Sequence, residues 1–506
     1  MQRQQCDSGL RLTFRLLASV SCLCLSAMVA APARGQVFTP ADLPTAAPVP
    51  AQGPQFPRPW SLNMLICGQT LGDWCGWMTV VMVDVTGDGR DDLCGYYGYG
   101  QDASVRNPRI EFLCAPAEHS SGSGLSTERF SSTAIRVPAL TQALSITMLQ
   151  TSIQKLSAAR KVHAVDIDID GMADHLCVRM GDGINCVKFA NGQFAASATL
   201  VQPSFSDAAG WNEPGYESTI GFPKLGGKRA VCGRGIAGIH CFRFNIATGA
   251  FDEPLEVVPA FADRYKWRLN PHYFETIRYV DVTGDKSDDI CARGSDGILC
   301  ATFNSTSNQF GVAKWWTSQF RDAWGWGAHG FYDSLVYVDL NNDARADICG
   351  RGHAGLWCGT ANAQRELFVF APRVPALPRI NAQQNFGGPH NPLSPPAFAA
   401  LLPFGVDLER DGLGTICEPR AVPYFHLSTN KVEIHCAKST TTHGGPPTFS
   451  TLSKRTDGIP WDGSQVEFHL ARLHNARQDW LCWIDRTATS NSPPLPRSVW
   501  CARLGS

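Results

Sequence analysis

The sequence predicts an all-β fold, a seven-bladed β-propeller of four-stranded antiparallel blades whose ring is closed by an N-terminal strand. Three observations predict it. Cysteines come in close pairs, and their first members Cys94, Cys177, Cys232, Cys291, Cys349, Cys417 and Cys482 mark seven units along the chain. One phrase recurs in the central units: "FSDAAGWNEPGYESTIGF", "FADRYKWRLNPHYFETIRYVDV" and "FRDAWGWGAHGFYDSLVYVDL" are followed by "VCGRGIAGIHCFRF", "ICARGSDGILCATF" and "ICGRGHAGLWCGTA". Each unit holds about four short runs rich in Val, Ile, Tyr and Phe between Gly, Asp and Asn, which is strand-and-turn composition at a propeller's period.

A chain of 506 residues exceeds one ordinary compact domain, and a repeat array accommodates it. Lys+Arg number 44 against Asp+Glu 45, so long-range attraction to nucleic acid or anionic membranes is absent. The chain is expected to act as a monomer.

Residues 1–33 read as a signal peptide: Arg11 and Arg15 precede the apolar run "LLASVSCLCLSAMVAA", and Ala31-Pro32-Ala33 offers a cleavage site. Beyond it no apolar run reaches the ~18 residues of a membrane span. Residues 34–59 form a Pro/Ala-rich tether, and residues 60–506 the propeller. "GDWCGW", Gly72 to Trp77, resembles the inter-blade phrase "RDAWGW", which makes Trp60 to Gln69 the outer strand of the last blade. The last unit stops at "SVWCARLGS", one strand short, so this N-terminal strand would complete it and remove an exposed edge.

Of 19 cysteines, Cys6, Cys22 and Cys24 lie in the leader; the others pair as Cys67/Cys75, Cys94/Cys114, Cys177/Cys186, Cys232/Cys241, Cys291/Cys300, Cys349/Cys358, Cys417/Cys436 and Cys482/Cys501. Zinc clusters use closer pairs with histidines near by, so disulfides in an oxidising compartment are expected. The C-x8-C pairs span "RGSDG"-type turns, where opposed residues of two strands come within disulfide reach.

The turn before each second strand is rich in acids. At positions 1, 3, 5 and 9 the loops read Asp84, Thr86, Asp88, Asp92; Asp166, Asp168, Asp170, Asp174; Asp281, Thr283, Asp285, Asp289; and Asp339, Asn341, Asp343, Asp347. Hard oxygen ligands on alternate residues of a tight turn select Ca2+. An EF-hand needs a Glu at position 12 and flanking helices, whereas Gly95 stands there and the flanks read as strands.

With these loops the sequence resembles the FG-GAP or VCBS repeat family, the integrin-alpha-like seven-bladed propellers whose blades carry D-x-[DN]-x-D-G-x-x-D calcium loops. The resemblance covers most of Trp60 to Ser506 and implies calcium between the first and second strands of a blade; it implies no activity. Several units depart from it. His175 is an extra residue in the second loop. Position 6 is Gly89 and Gly171 but Lys286 and Ala344 elsewhere. The sixth loop keeps Asp407, Glu409 and Asp411 but ends at Thr415. The third has no carboxylate, with Lys224 or Lys228 in place of the cation, and "ARLHNARQDWLC" is degenerate.

No H-E-x-x-H, G-x-S-x-G or P-loop motif occurs, and histidines such as His272, His329, His353 and His390 are scattered. Aromatics recur just before each first strand: Trp211 with Tyr216, Trp267 with Tyr273, and Trp324, Trp326 and Tyr332. Such rings serve either as sugar-stacking platforms or as wedges between blades. Arg179, Arg234, Arg293 and Arg351 recur as structural residues, and residues 371–398 form a long Pro-rich insertion. The expected function is that of a secreted, extracellular or periplasmic, calcium-binding module for glycan or a surface protein. The alternative is a hydrolase or lyase acting on polysaccharide in the central funnel.

Overall fold

The computed structural model describes residues 74–77, 80–100, 109–120, 127–131, 134–141, 162–328, 330–370, 376, 404–408, 411–422, 430–441, 447–461, 468–472, 480–484 and 499–503. The leader, the tether, Trp60 to Gln69 and nearly all of the 371–398 insertion lie outside them.

Six antiparallel sheets follow one another along the chain, each built on four strand positions. Blade 1 uses Val81–Val83, Asp92–Gly100, Arg109–Ala115 and Ile135–Arg136. Blade 2 uses Val162–Val165, His175–Met180, Gly183–Ala190 and Leu200–Gln202. Blade 3 uses Lys224–Leu225, Lys228–Gly235, Gly238–Asn245 and Ala250–Pro254. Blade 4 uses Arg278–Val280, Asp289–Gly294, Gly297–Ala301 and Lys314–Thr317. Blade 5 uses Val336–Val338, Asp347–Gly352, Gly355–Asn362 and Leu367–Phe370. Blade 6 uses Phe404–Val406, Thr415–Val422, Asn430–Lys438 and Ser453–Trp461. A last sheet of Phe468–Ala471, Trp480–Ile484 and Val499–Arg503 has three strands among the described residues, so the fold is a β-propeller with six complete blades there rather than seven. No helix among these residues is long and apolar enough to cross a membrane.

One expectation is corrected. Trp74–Trp77 is a strand and not an inter-blade loop: it pairs with Tyr97 to Gly100 of the long second strand of blade 1. That strand, rich in β-forming tyrosines, runs past the span covered by Val81–Val83 and so offers a second partner an edge.

Six of the eight expected disulfides fall where the spacing puts them, and Cys67/Cys75 and Cys482/Cys501 involve side chains outside the described residues. Cys94–Cys114, Cys177–Cys186, Cys232–Cys241, Cys291–Cys300, Cys349–Cys358 and Cys417–Cys436 each join directly opposed residues of second and third strands, with Cα separations of 4.0 to 4.2 Å. The turn between these strands needs glycine. Gly183, Gly238 and Gly297 have φ of +136°, +131° and +132°, and a Cβ at Gly297 would stand 1.9 Å from the carbonyl oxygen of Thr317. The fourth strand thereby lies against the turn.

The cores lie between blades. Tyr96 and Phe112 of blade 1 pack with Leu176 and Val178 of blade 2. Ile239 and Leu225 of blade 3 pack with Ile290 and Leu299 of blade 4, and Cys291 and Ile298 of blade 4 pack with Ile348 and Phe368 of blade 5. A repeated hydrogen bond adds to this packing. The residue three before each blade's first cysteine donates to the residue at the first position of the preceding blade's turn. Asp288 N–H reaches Lys224 O at 2.7 Å, Ala346 N–H reaches Asp281 O at 2.7 Å and Gly414 N–H reaches Asp339 O at 2.6 Å. In blade 3 the Arg229 side chain does this through Nε to Asp166 O, at 2.9 Å. The same bond joins the last sheet to blade 1: Asp91 N–H donates to Arg472 O at 2.7 Å, and Arg472 Nε and Nη2 donate to Asp91 Oδ1 at 2.8 and 2.6 Å.

Candidate functional site

Two faces carry candidate chemistry, the acidic turns between first and second strands and the inter-blade segments at the other end. In every acidic turn the first aspartate holds the turn by accepting backbone N–H groups. Asp84 takes Gly87 and Gly89 at 2.7 Å, Asp166 takes Asp170 and Gly171 at 3.1 Å, Asp281 takes Gly284 at 2.6 Å and Lys286 at 2.7 Å, and Asp339 takes Ala344 at 2.8 Å.

The acids at position 9 point elsewhere. Asp92 is engaged by the N–H groups of Val85, Thr86 and Ala117; Asp289 by Val282 at 3.0 Å and Phe303 at 2.8 Å; and Asp347 by Leu340 at 2.9 Å and Ala361 at 2.7 Å. These buried carboxyls bolt the turn to the third strand or just beyond it, and burial pushes Asp92 up to about 7 and Asp289 and Asp347 up to about 8. Blade 2 differs: the extra His175 donates from Nδ1 to Asp174 Oδ1 at 2.6 Å, and Lys188 Nζ lies 3.1 Å from Asp174.

At the middle positions the loops divide. Asp88 pairs with Arg90 at 2.7 Å and Asp343 with Arg345 at 2.9 Å, so two loops already hold a cation from position 7. Asp285 accepts Ser287 N–H at 2.9 Å and Thr283 Oγ1 donates to Asp281 at 3.2 Å. Only in blade 2, among the described residues, do three carboxylates, Asp166, Asp168 and Asp170, bring oxygens within 4.8 Å of one another. In blade 5 the amide oxygen and nitrogen of Asn341 are buried without a partner. Both observations fit an oxygen-coordinated divalent ion. Blade 3 has lost two loop residues; there Lys224 takes the first position, and Lys228 turns away to Glu253 at 2.5 Å. In blade 6, Asp411 pairs with Lys438.

On the opposite face a polar frame repeats. Arg234 and Arg293 are fully buried second-strand residues that reach across their own blades to Asp263, at 2.6 Å, and Asp322. Tyr216 donates to Asp263 at 2.5 Å, and Tyr273 donates to Asp322. Arg179 pairs likewise with Asp207, and Arg351 lies 3.6 Å from Glu418. Arg351 and Glu418 are desolvated together, whereas Asp207, Asp263 and Asp322 stay partly in solvent; removing any of these acids would strand a buried guanidinium. Burial pulls Arg293 and Arg351 down, and their acidic partners hold them up.

The repeated aromatics stand beside this frame. Trp211, Trp267, Trp326, Tyr216 and Tyr332 are buried, and Tyr273 is partly so. The tryptophans meet Phe205, Phe261 and Phe320 with ring centroids 4.5, 5.0 and 4.6 Å apart, and Trp267 Nε1 donates to Ala260 O at 3.0 Å. Gly233 and Gly350 make room: a Cβ there would stand 2.7 Å from the Trp211 ring and 3.0 Å from Trp326.

Between the end of blade 4 and blade 5 this packing opens into a cavity of about 410 Å³, lined by Gln319, Trp324, Trp326, Phe331, His353 and Trp357. Trp324 keeps 46% of its surface exposed, with the Arg321 guanidinium over its ring at 4.0 Å. Phe331, Trp357 and Gln319 are lining residues that the sequence pattern did not single out. The signal for Trp357 was a break in the repeat, for the residue before the second cysteine is Asn185, His240 and Leu299 in blades 2 to 4. Of the repeated aromatics singled out in the sequence, this cavity takes in Trp324 and Trp326.

No protein-family model matches the chain, and no curated protein matches it. Among solved structures, the chain resembles an Agrocybe aegerita lectin described for specific recognition of non-reducing terminal N-acetylglucosamine, at 18% identity and a TM-score of 0.53, covering 87% of this chain and 88% of that one. This likeness is one of fold. The TcdB2–TccC3 structure matches at 12% identity and a TM-score of 0.27, over 75% of this chain and 16% of that one, and bears no weight.

Proposed function

We propose that the chain is a secreted, non-catalytic β-propeller of the FG-GAP/VCBS kind that binds glycan, free or carried on a surface protein, with calcium as a structural ion. The cavity beside Trp324 carries the reading. Half-exposed indole beside other rings matches the apolar face of a sugar, and Gln319 and His353 supply polar groups for its hydroxyls. The lectin shares the fold, and six disulfides suit an oxidising compartment.

Two structural parts belong to the same proposal. The ring is seven-bladed and closes, which is supported by the Asp91–Arg472 contact repeating the bond between consecutive blades. Calcium would be held foremost by Asp166, Asp168 and Asp170, with Asp339 and Asn341 as the next site, and it would tie the turn together in place of Lys188, whose Nζ lies 3.4 Å from Asp168. A glycan array probed with the wild type and Trp324→Ala, with and without calcium, tests the reading. Retained wild-type binding that the variant loses is expected. No glycan bound by the wild type, or equal binding by both, overturns it.

A further inference from the structure

The position facing each blade's first cysteine, in an isolated bridge ahead of the first strand in blade 3 and in the first strand itself in blades 4 and 5, comes in three versions. Gly221 stands opposite Cys232, Arg278 opposite Cys291 and Val336 opposite Cys349. The next residue of the following blade lies over that position. Tyr279 lies over Gly221, where a Cβ would stand 2.6 Å from its ring, and its hydroxyl donates to Thr219 O at 3.1 Å. Tyr337 is the same residue one blade on, opposite Ile348 as Tyr279 is opposite Ile290, but the position it faces carries Arg278 in place of glycine, near enough for the two to interact electrostatically. Its hydroxyl is buried and has no hydrogen-bond partner. One tyrosine is satisfied and its counterpart is left with an orphan donor beside a cation.

That cation is also half used. Arg278 Nη1 donates to the carbonyl oxygens of Glu275 and Ile277 at 2.8 and 2.9 Å, while Nε and Nη2 make no hydrogen bond and no carboxylate forms an ion pair with it among the described residues. Nε and Nη2 project along the same edge of a guanidinium, the edge that grips both oxygens of a carboxylate or phosphate. Arg278 is exposed at the start of its strand, so a solute can reach the free edge of its guanidinium. The hydroxyl of Tyr337 and the carboxylate of Glu275 lie close enough to act on its charge. Glu275, itself accepting from Tyr332 at 3.2 Å, is the nearest acid. The other titratable side chain described at this strand level is His163, which packs on the Phe222 ring at 5.2 Å in the interface of blades 2 and 3.

We infer that Arg278 and Tyr337 form a binding site for an oxyanion at the inner edge of the interface between blades 4 and 5, with the Nε and Nη2 fork gripping two oxygens and the phenol donating to one. The ligand chemistry is a carboxylate, sulfate or phosphate, small or presented by a larger molecule. The site is independent of the aromatic cavity and of calcium.

Thermal unfolding of the full chain, titrated with sodium sulfate, sodium phosphate and sodium glucuronate against sodium chloride at equal ionic strength, tests it. Saturable stabilisation of the wild type is expected with at least one of these oxyanions. Arg278→Gln should weaken the response about tenfold or more, and Tyr337→Phe about threefold, as losses of a charge-assisted and a neutral hydrogen bond. Saturation by glucuronate alone assigns a carboxylate, and saturation by sulfate and phosphate as well assigns the wider class. If Arg278→Gln does not fold, Tyr337→Phe carries the comparison. A linear, unsaturable salt response, or equal midpoints in wild type and variants, overturns the inference.

Discussion

The acidic turns and the inter-blade segments, at opposite ends of the same strands, treat their repeats in different ways. The turns keep one construction in blade after blade, an aspartate capping N–H groups and a buried aspartate bolted to the third strand, and vary in how the middle acid is neutralised. The other end keeps a frame of tryptophan, arginine, aspartate and tyrosine, shared between inter-blade segments and strand ends, and changes single residues around it. Leu299 becomes Trp357 and a cavity opens; Gly221 becomes Arg278 and a tyrosine loses its partner. The difference teaches that repetition here builds the scaffold, while candidate sites arise where one blade departs from it.

The sharpest way to break the scaffold side is at the turn glycines. Gly297→Ala places a Cβ 1.9 Å from Thr317 O at positive φ and should cost about 3 kcal/mol or more, read as a fall in unfolding midpoint. Gly227, also at positive φ but with nothing within 4 Å, is the control, and its alanine variant should cost about 1–2 kcal/mol. Equal losses would remove the steric argument.

Next comes the wedge. Trp267→Ala empties a buried site against Phe261 and should cost about 3–5 kcal/mol in chemical denaturation. A loss below about 1 kcal/mol, roughly the surface range, would place that ring outside the core.

Removal of metal is expected to act more mildly. Excess chelator should lower stability by about 2–3 kcal/mol if free calcium stood near a hundred times its dissociation constant, and Asp168→Ala should erase most of that difference. Calorimetric melting with and without chelator reads it. An unchanged midpoint defeats calcium in blade 2. Lys188→Met, which removes the competing ammonium, should tighten calcium binding in a direct titration.

The smallest change in stability belongs to the cavity. Trp324→Ala should stay within about ±0.5 kcal/mol because the ring is half exposed, yet it should abolish glycan capture. Its contrast with Trp267 is the most direct separation of site from scaffold.

Much of the scaffold was legible because cysteine spacing, turn glycines and strand composition act locally. The opposed cysteines at C-x8-C follow from a tight turn between two strands, and the registers agree. Trp74–Trp77 was misread because "WCGW" shares its composition with the inter-blade phrase, while its pairing is decided by the length of a partner strand some twenty residues on. In the acidic turns the motif named the right residue types but could not tell which way a carboxylate faces. Asp289 turns inward to Phe303 N–H, and Asp88 and Asp343 meet arginines from their own loops. The cavity was illegible for another reason. Gln319, Trp324 and Trp357 come from two blades and meet only through the packing of one against the next.

The six disulfides among the described residues also govern how their blades would respond to tension. Each closes a loop inside its own blade, and among the described residues none ties one blade to another. A pull on the two ends can therefore strip blades away in succession without breaking a covalent bond. What each blade surrenders is shortened, because a lock across nine residues withholds roughly 30 Å of extended chain. The wider locks of blades 1 and 6, spanning 20 and 19 residues, withhold about twice that. Stretched under oxidising conditions, the chain would lengthen in unequal steps, and a reductant would lengthen every one of them.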